Sequence, residues 1–505
     1  MDQIDVPGTS TTLAGNTPTE GTGLWTIVSG SGGSVTTPTS PTSGFTGIAG
    51  NSYILEWTIT NVCGSSTDSV TISFEAPADP YPCISKTFGG SGTDAMQGSW
   101  EISNMIATSD GGYAIAGITD SWGAGNNDIW ILKLDASASI EWQYAYGSGN
   151  NEEAYCIIQT SDGGYAVTGR YNRTGSYDGE LWVLKLDASG NINWQKRING
   201  TSNQERGISI IETSDGGYAI AGQYHFGSAS PGGEMWVVKL NSSGNISWQM
   251  AYGGTYEEVA TGIAENRDGD LVVAGKTATY GSGSYDVWML KVNGSNGNTI
   301  WRRAYGTADV EQAIEMTPTD DGCYVINGRY ENSPRKFLLM KVDDDGNIVW
   351  QKCYTDDTND YVGQGIIQTD DGGYASVGYG AAGGLSSQFL INKLDASGNL
   401  VWQKHFGLGD VEMATSIVQT STGNYAVAGV TYNGAAGGLD IMFFKIQSDG
   451  SGPDCDGTPP GFVRNISLST TSTTAVFTFT SASAVNSTAI RTITGAVINE
   501  PCTCP

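Results

Sequence analysis

Hydrophobic and polar positions alternate with a period of two in short runs along most of the chain, and from residue 110 onward the runs return on a fixed schedule. Tyr53-Ile-Leu-Glu-Trp-Thr-Ile-Thr60 and Val70-Thr-Ile-Ser-Phe74 alternate as half-buried strands do. The phrase Asp110-Gly-Gly-Tyr-Ala-Ile-Ala-Gly117 comes back as Asp162-Gly-Gly-Tyr-Ala-Val-Thr-Gly169 and, in altered form, five times more. Its closing glycines are Gly117, Gly169, Gly222, Gly275, Gly328, Gly378 and Gly429, 50 to 53 residues apart. Lys133, Lys185, Lys239, Lys291, Lys341, Lys393 and Lys445 keep step with them. A unit of this length cannot bury its own faces, so the period predicts an array of packed repeats.

Each repeat parses as four strands. In the second, strand A is expected at 154–160, B at 165–171, C at 181–187 and D at 192–198, with glycine-bearing hairpins between A and B and between C and D. Four-stranded units of this size predict an all-β fold, a seven-bladed β-propeller. Strand D begins with Trp142, Trp194, Trp248, Trp301, Trp350 and Trp402, but no such strand follows Lys445. The missing strand is read at the front, at 84–88, where Ile84-Ser-Lys-Thr-Phe-Gly89 resembles the strand-D endings. It would complete the last blade and leave no open edge. The propeller is thus expected over 83–455. Cys83 and Cys455 sit at the two ends of the seam and are expected to form a disulfide.

Residues 1–76 lack the period and read as a small β-sandwich of short strands. Residues 77–82, Pro-Ala-Asp-Pro-Tyr-Pro, read as a stiff linker. The stretch 456–505 is a Ser/Thr-rich tail in which two runs alternate like strands. It is too short to bury a core of its own, so its strands are expected to pair with something else.

Composition narrows the function. The net charge of −28 excludes nucleic acid as a partner, since phosphate binding needs the opposite sign. No run of about 18 apolar residues exists to form a transmembrane helix. Met1-Asp-Gln-Ile-Asp is neither basic nor apolar, so no signal peptide is visible; export is expected from composition, with the leader already removed. Eight cysteines in 505 residues do not make a disulfide framework.

Candidate chemistry is sparse. Seventeen residues before the repeat glycine stand Glu152, Glu205, Glu258, Glu311 and Glu412, with Trp100 and Tyr361 in the first and sixth repeats. As openers of the innermost strand these carboxylates would ring one mouth of the channel. There they would either hold Ca²⁺ through oxygen ligands or accept backbone N–H groups from the next blade. The B–C and D–A loops share that face, and the B–C loops vary most. Trp122, Tyr171, Tyr177, Tyr224, Tyr280 and Tyr285 mark them as a recognition surface or as spacers. The repeated lysines read as ion-pair partners of the A–B turn aspartates, and the repeated tryptophans as packing between sheets. Two histidines, His225 and His405, fall in different repeats, and no nucleophile or metalloprotease motif occurs.

The pattern DGGYAVAG…D.WVLKLD..GN..WQK.YG over 83–450 resembles the secreted bacterial β-propeller repeat family. Its Lys-Leu-Asp-Ala-Ser-Gly-Asn-Ile-Asn-Trp194 stretch also resembles the tryptophan-docking motif of quinoprotein propellers. Leu13-Ala-Gly-Asn-Thr-Pro, Trp25-Thr-Ile-Val-Ser-Gly and Trp57-Thr-Ile-Thr-Asn-Val-Cys63 resemble the immunoglobulin- or PKD-like modules of large bacterial surface proteins. That module usually carries a second cysteine near its start. Val6-Pro-Gly-Thr stands there, so Cys63 is expected to bond Cys502 or Cys504 of another subunit. Asp68-Ser-Val fits the short O-glycosylation pattern of the same group, which makes Ser69 a candidate acceptor. The resemblance implies secretion and adhesion or scaffolding. The expected function is a non-enzymatic extracellular cell-surface protein, self-associating as a filament by adding tail strands to a neighbour's sheet. The alternatives are a polysaccharide- or protein-binding module and a glycan-active enzyme.

Overall fold

A computed structural model describes residues 2–499 apart from 31, 50, 63, 75–83, 97–103, 125, 173–178, 200–204, 226–231, 332, 356–358, 382–386, 408–411, 433–437, 453–461, 465–468, 473–476, 479–482, 486–489 and 494–496; beyond 452 it describes backbone pairing alone. Among the described residues every regular element is a strand. Two compact units divide at Pro82 and Cys83.

In the first unit, strands Gln3–Val6, Gly64–Phe74, Ser52–Asn61 and Thr22–Ser29 form one sheet in that order, and Ser10–Thr12, Gly44–Thr46 and Ser34–Val35 form a second. Alternation puts Trp25, Tyr53, Leu55, Trp57, Ile72 and Phe74 on one face. They share a core with Leu13 and Phe45. The Trp25 and Trp57 rings lie 5.1 Å apart, and the Trp57 indole donates to Asn16 O at 3.1 Å.

The second unit repeats one antiparallel A-B-C-D sheet. The second repeat shows the plan: Glu152–Gln159, Tyr165–Asn172, Gly179–Leu186 and Ile192–Asn199. Strands A and C start two residues before their expected limits. Sheets 1 to 6 follow chain order, sheet 1 with strands at 105–147 and sheet 6 with strands at 361–406. Sheet 7 takes strands A to C from Glu412–Gln419, Tyr425–Thr431 and Asp440–Ile446, and its fourth strand is Ser85–Gly89. Phe88 stands opposite Ile441 and Thr87 opposite Met442.

The repeat glycine has a steric cause. A methyl on Gly169, Gly222, Gly275, Gly328 or Gly378 would overlap the strand-A carbonyl of Glu153, Arg206, Val259, Gln312 or Val362. Strand A carries a bulge at that level, for instance between Ala154 and Cys156, which brings the two backbones together.

Neighbouring sheets bury continuous apolar layers. Ala114, Ala116, Ile129 and Ile131 of sheet 1 pack with Val167, Trp182 and Leu184 of sheet 2, and Ala426, Ala428 and Phe443 of sheet 7 pack with Tyr113, Trp130 and Leu132 of sheet 1. A second link runs through strand D. The Tyr146 hydroxyl donates to Gly190 O of the next C–D hairpin at 2.7 Å, and Tyr305 and Tyr354 reach Gly346 O and Gly398 O in the same way. The hairpin glycine lies under the preceding sheet's tryptophan, as Gly190 does under Trp142 and Gly244 under Trp194. At Gly190 φ is +78°, a conformation that glycine adopts without strain.

The tail strands find their partners within the chain. Phe462–Arg464, Ser469–Ser472, Phe477–Thr478, Ser483–Val485, Ile490–Ile493 and Val497–Asn499 pair in turn with the outer strands of sheets 5, 4, 3, 2, 1 and 7. All six pairings are antiparallel, and each adds a fifth strand next to strand D. The sequence reading expected a neighbouring subunit's sheet. The outer edge of the chain's own D strands offers the same unpaired N–H and C=O row.

Candidate functional site

The strand-A glutamates are buried: Glu152, Glu258, Glu311 and Glu412 are 0% exposed and Glu205 is 2% exposed. Their surroundings are built by the D–A connection. Glu152 accepts from Ser148 N and Ser148 Oγ, both at 2.9 Å. Glu258 accepts from Gly254 N at 3.0 Å and Thr277 Oγ1 at 2.8 Å. Glu311 accepts from Thr307 N at 3.1 Å and Thr307 Oγ1 at 2.5 Å. The N–H donor stands four residues upstream in the same connection, so the glutamate ties down its own loop. Among the described residues no three His, Cys, Asp or Glu side chains converge to hold a metal ion.

In sheet 1 the role belongs to Asp94, where the count of seventeen points to Trp100. Asp94 accepts from Gly90 N at 2.6 Å and from Ser121 Oγ at 2.6 Å, and the carbonyl that crowds Gly117 is that of Ala95. The register of Asp94 opposite Thr119 matches that of Glu258 opposite Thr277. Tyr361 does occupy the position in sheet 6, where its N–H donates to Arg335 O.

A second acid set, which the sequence reading missed, opens strand C: Asp128, Glu180, Glu234, Asp286 and Asp440, with Lys336 and Gln388 at the same register in sheets 5 and 6. The signal was present as a second period of 50 to 54 residues. Asp128 meets Glu152 at Gly147, Glu234 meets Glu258 at Gly253, and Asp286 meets Glu311 at Gly306. Burial pushes the Glu152 carboxyl up to about 7, with Asp128 adding to the rise against the Ser148 hydrogen bonds. Burial, with Glu258 beside it, raises Glu234 to about 8. Burial also raises Glu258, Asp286 and Glu311.

The loop aromatics brace the same level. Trp122 lies 5.2 Å from Trp130, Tyr171 5.7 Å from Trp182, Tyr224 5.3 Å from Trp236 and Tyr280 5.4 Å from Trp288. Each covers the strand-C tryptophan of its own sheet. The Tyr285 hydroxyl donates to Glu257 at 2.7 Å, and Arg197 stacks 3.8 Å from the Tyr171 ring. Tyr256 and Tyr432, which the sequence reading did not single out, are 56% and 59% exposed. Ser69 is exposed on strand Gly64–Phe74. Tyr177, Cys63, Cys83, Cys455, Cys502 and Cys504 lie outside the described residues.

At the other end of the sheets the lysines close the A–B turns. Lys133, Lys185 and Lys239 reach Asp110, Asp162 and Asp215 at 2.8 Å, and Lys341 reaches Asp321 at 2.6 Å. Lys291 instead crosses to Asp344 of the next C–D hairpin at 2.6 Å.

No family model matches the chain. It is 23% identical over 308 residues to the regulatory protein FlaEY of Caulobacter vibrioides, a match that covers 56% of this chain and 31% of that protein. It is 23% identical over 229 residues to a WD repeat-containing protein of Acanthamoeba polyphaga mimivirus, covering 36% of this chain and 16% of that one. The chain thus spans less than a third of the curated relatives it matches. Among solved structures, a quinoprotein alcohol dehydrogenase-like protein of Bacteroides thetaiotaomicron is similar at TM-score 0.33 and 11% identity, over 80% of this chain and 94% of that one. PorZ, a surface component of the type-IX secretion system of Porphyromonas gingivalis, is similar at TM-score 0.35 and 10% identity, over 81% and 63%. The repeated four-stranded antiparallel sheets are of β-propeller type. No helix among the described residues is long and apolar enough to cross a membrane.

Proposed function

We propose that the chain is a non-catalytic extracellular scaffold: an immunoglobulin-like module followed in sequence by a closed seven-bladed propeller, which self-associates by strand addition through residues 456–505. The tail supports this reading most directly. Its short strands seat by backbone pairing on the outer edges of six sheets, and each such edge accepts a strand whatever its side chains. An identical edge on a second copy offers the same hydrogen bonds. A tail that leaves its own ring therefore docks on a neighbour at little enthalpic loss, the condition for domain swapping. Head-to-tail exchange that does not close builds a filament.

The buried glutamates and the covered loop aromatics serve as framework in this reading. Static light scattering on the full chain and on a chain ending at residue 455 tests it. The full chain is expected to grow in mass with concentration while the truncated chain stays monomeric. Equal, concentration-independent masses would refute it.

A further inference from the structure

Three sheet junctions share an arrangement that the scaffold role does not require. Strand C of one sheet and strand A of the next each aim a carboxyl at the glycine that ends strand D. The pairs are Asp128 with Glu152 at Gly147, Glu234 with Glu258 at Gly253, and Asp286 with Glu311 at Gly306. The two oxygens of each pair lie within about 5 Å of one another, close enough for each charge to oppose the other. All six side chains are at most 2% exposed. Glu234 Oε2 has no hydrogen-bond partner among the described residues, although it is buried against Glu258. A buried carboxylate without a donor is costly.

Three of the other four junctions show what the position accepts; at the fourth, between sheets 7 and 1, Asp440 reaches Gly89 and Asp94 accepts from Gly90 N. Glu180 is held by the Arg197 guanidinium, Gln388 brings an amide toward the glycine that Glu412 reaches, and Lys336 takes the strand-C register in sheet 5, opposite Tyr330. Where a second acid is missing or balanced, an N–H group is present. An amide beside a carboxylate is the hydrogen-bonding equivalent of a carboxylic acid beside one.

We propose that each of these three junctions binds one proton, held between the two carboxyls, and that its loss to solvent in mild alkali weakens cohesion between adjoining sheets.

The groups facing each site set its range. Glu258 faces Glu234. Asp128 faces Glu152, and the Arg197 charge opposes the rise. Asp286 and Asp309 face Glu311. Folded values of about 7 for Glu152 and about 8 for Glu234 stand above the ordinary glutamate value. The folded state therefore keeps protons that the unfolded chain releases, and stability falls as pH rises from the ordinary glutamate value through the folded values. Burial lowers His225, so this imidazole raises stability as pH climbs to about its ordinary value of 6.5, opposite in sign to the carboxyl pairs, and is silent well above it.

The test is thermal unfolding of the intact chain between pH 4.5 and 9, compared with Glu234→Gln and Asp286→Asn, both with and without millimolar Ca²⁺. The parent is expected to lose melting temperature across this range. Either variant should melt about 2–4 °C above the parent at pH 9, with little difference at pH 4.5. Parallel curves for parent and variants would overturn the proposal. So would a parent slope abolished by Ca²⁺, which would make the pairs cation sites. Asp286→Asn supplies the answer if Glu234→Gln does not fold. Because light scattering reads mass and this experiment reads melting, either reading can fail alone.

Discussion

At the residue scale, much of the repeated sequence is explained by short-range geometry. The glycine that closes each repeat phrase is required by a carbonyl. The lysine 16 or so residues later closes the turn that opens the phrase. At Lys185, burial pulls the Asp162 carboxyl upward, but hydrogen bonds from Lys185, Thr160 and the Gly164 N–H outweigh it and hold Asp162 at about 2. Asp110, Asp215 and Asp321 are held at about 2 in the same way. These depressed values contribute stability above the ordinary aspartate value that is lost as pH falls toward 2. Asp162→Ala is expected to flatten the acid limb of the melting curve between pH 4 and 2 and to cost about 1 kcal/mol at neutral pH, since the aspartate is half exposed. An unchanged acid limb would show that the turn pairs contribute nothing. The lysine–aspartate pairing was legible because both residues repeat. The Lys291–Asp344 exception was not, because the sequence gives no sign that this lysine turns toward the next hairpin.

At the element scale, the sheet order and the identity of the fourth strand of sheet 7 could be read from where tryptophan-led strands begin and where one is missing. The position of Asp94 could not. Residues 96–104 separate it from the rest of its strand, so a fixed count back from Gly117 lands on Trp100. The strand-C acids were visible as a period but carried no meaning until their neighbours across the junction were known. Ser85–Gly89 joins the two ends of the repeat unit through backbone pairing and through Phe88, which is 0% exposed. Phe88→Ala is expected to cost about 3–5 kcal/mol and to speed hydrogen exchange at Ile441–Phe444 more than in sheets 3 and 4. Uniform acceleration across the sheets would mean that the seam is no more local than the rest.

At the scale of the whole molecule, the tail changes the picture most. Its strands are two to four residues long and separated by short Ser/Thr-rich spacers, so alternation alone could not name their partners. Their spacing, one every six to eight residues, matches a walk from one sheet edge to the next. Placed this way, the tail turns six open edges into paired ones, and it supplies a contact by which copies could exchange strands. In the assembled state this contact is expected to form between chains. The direct measurement pairs Tyr144→Cys with Ile493→Cys, residues that face each other across the outer edge of sheet 1. An equal mixture of isotopically light and heavy chains is assembled, oxidised, digested and mapped by mass. Mixed light–heavy cross-links in the assembled fraction, with unmixed links in the dilute monomer, are the predicted result. Unmixed links in both fractions would contradict strand exchange and leave the tail paired with the sheets of its own chain.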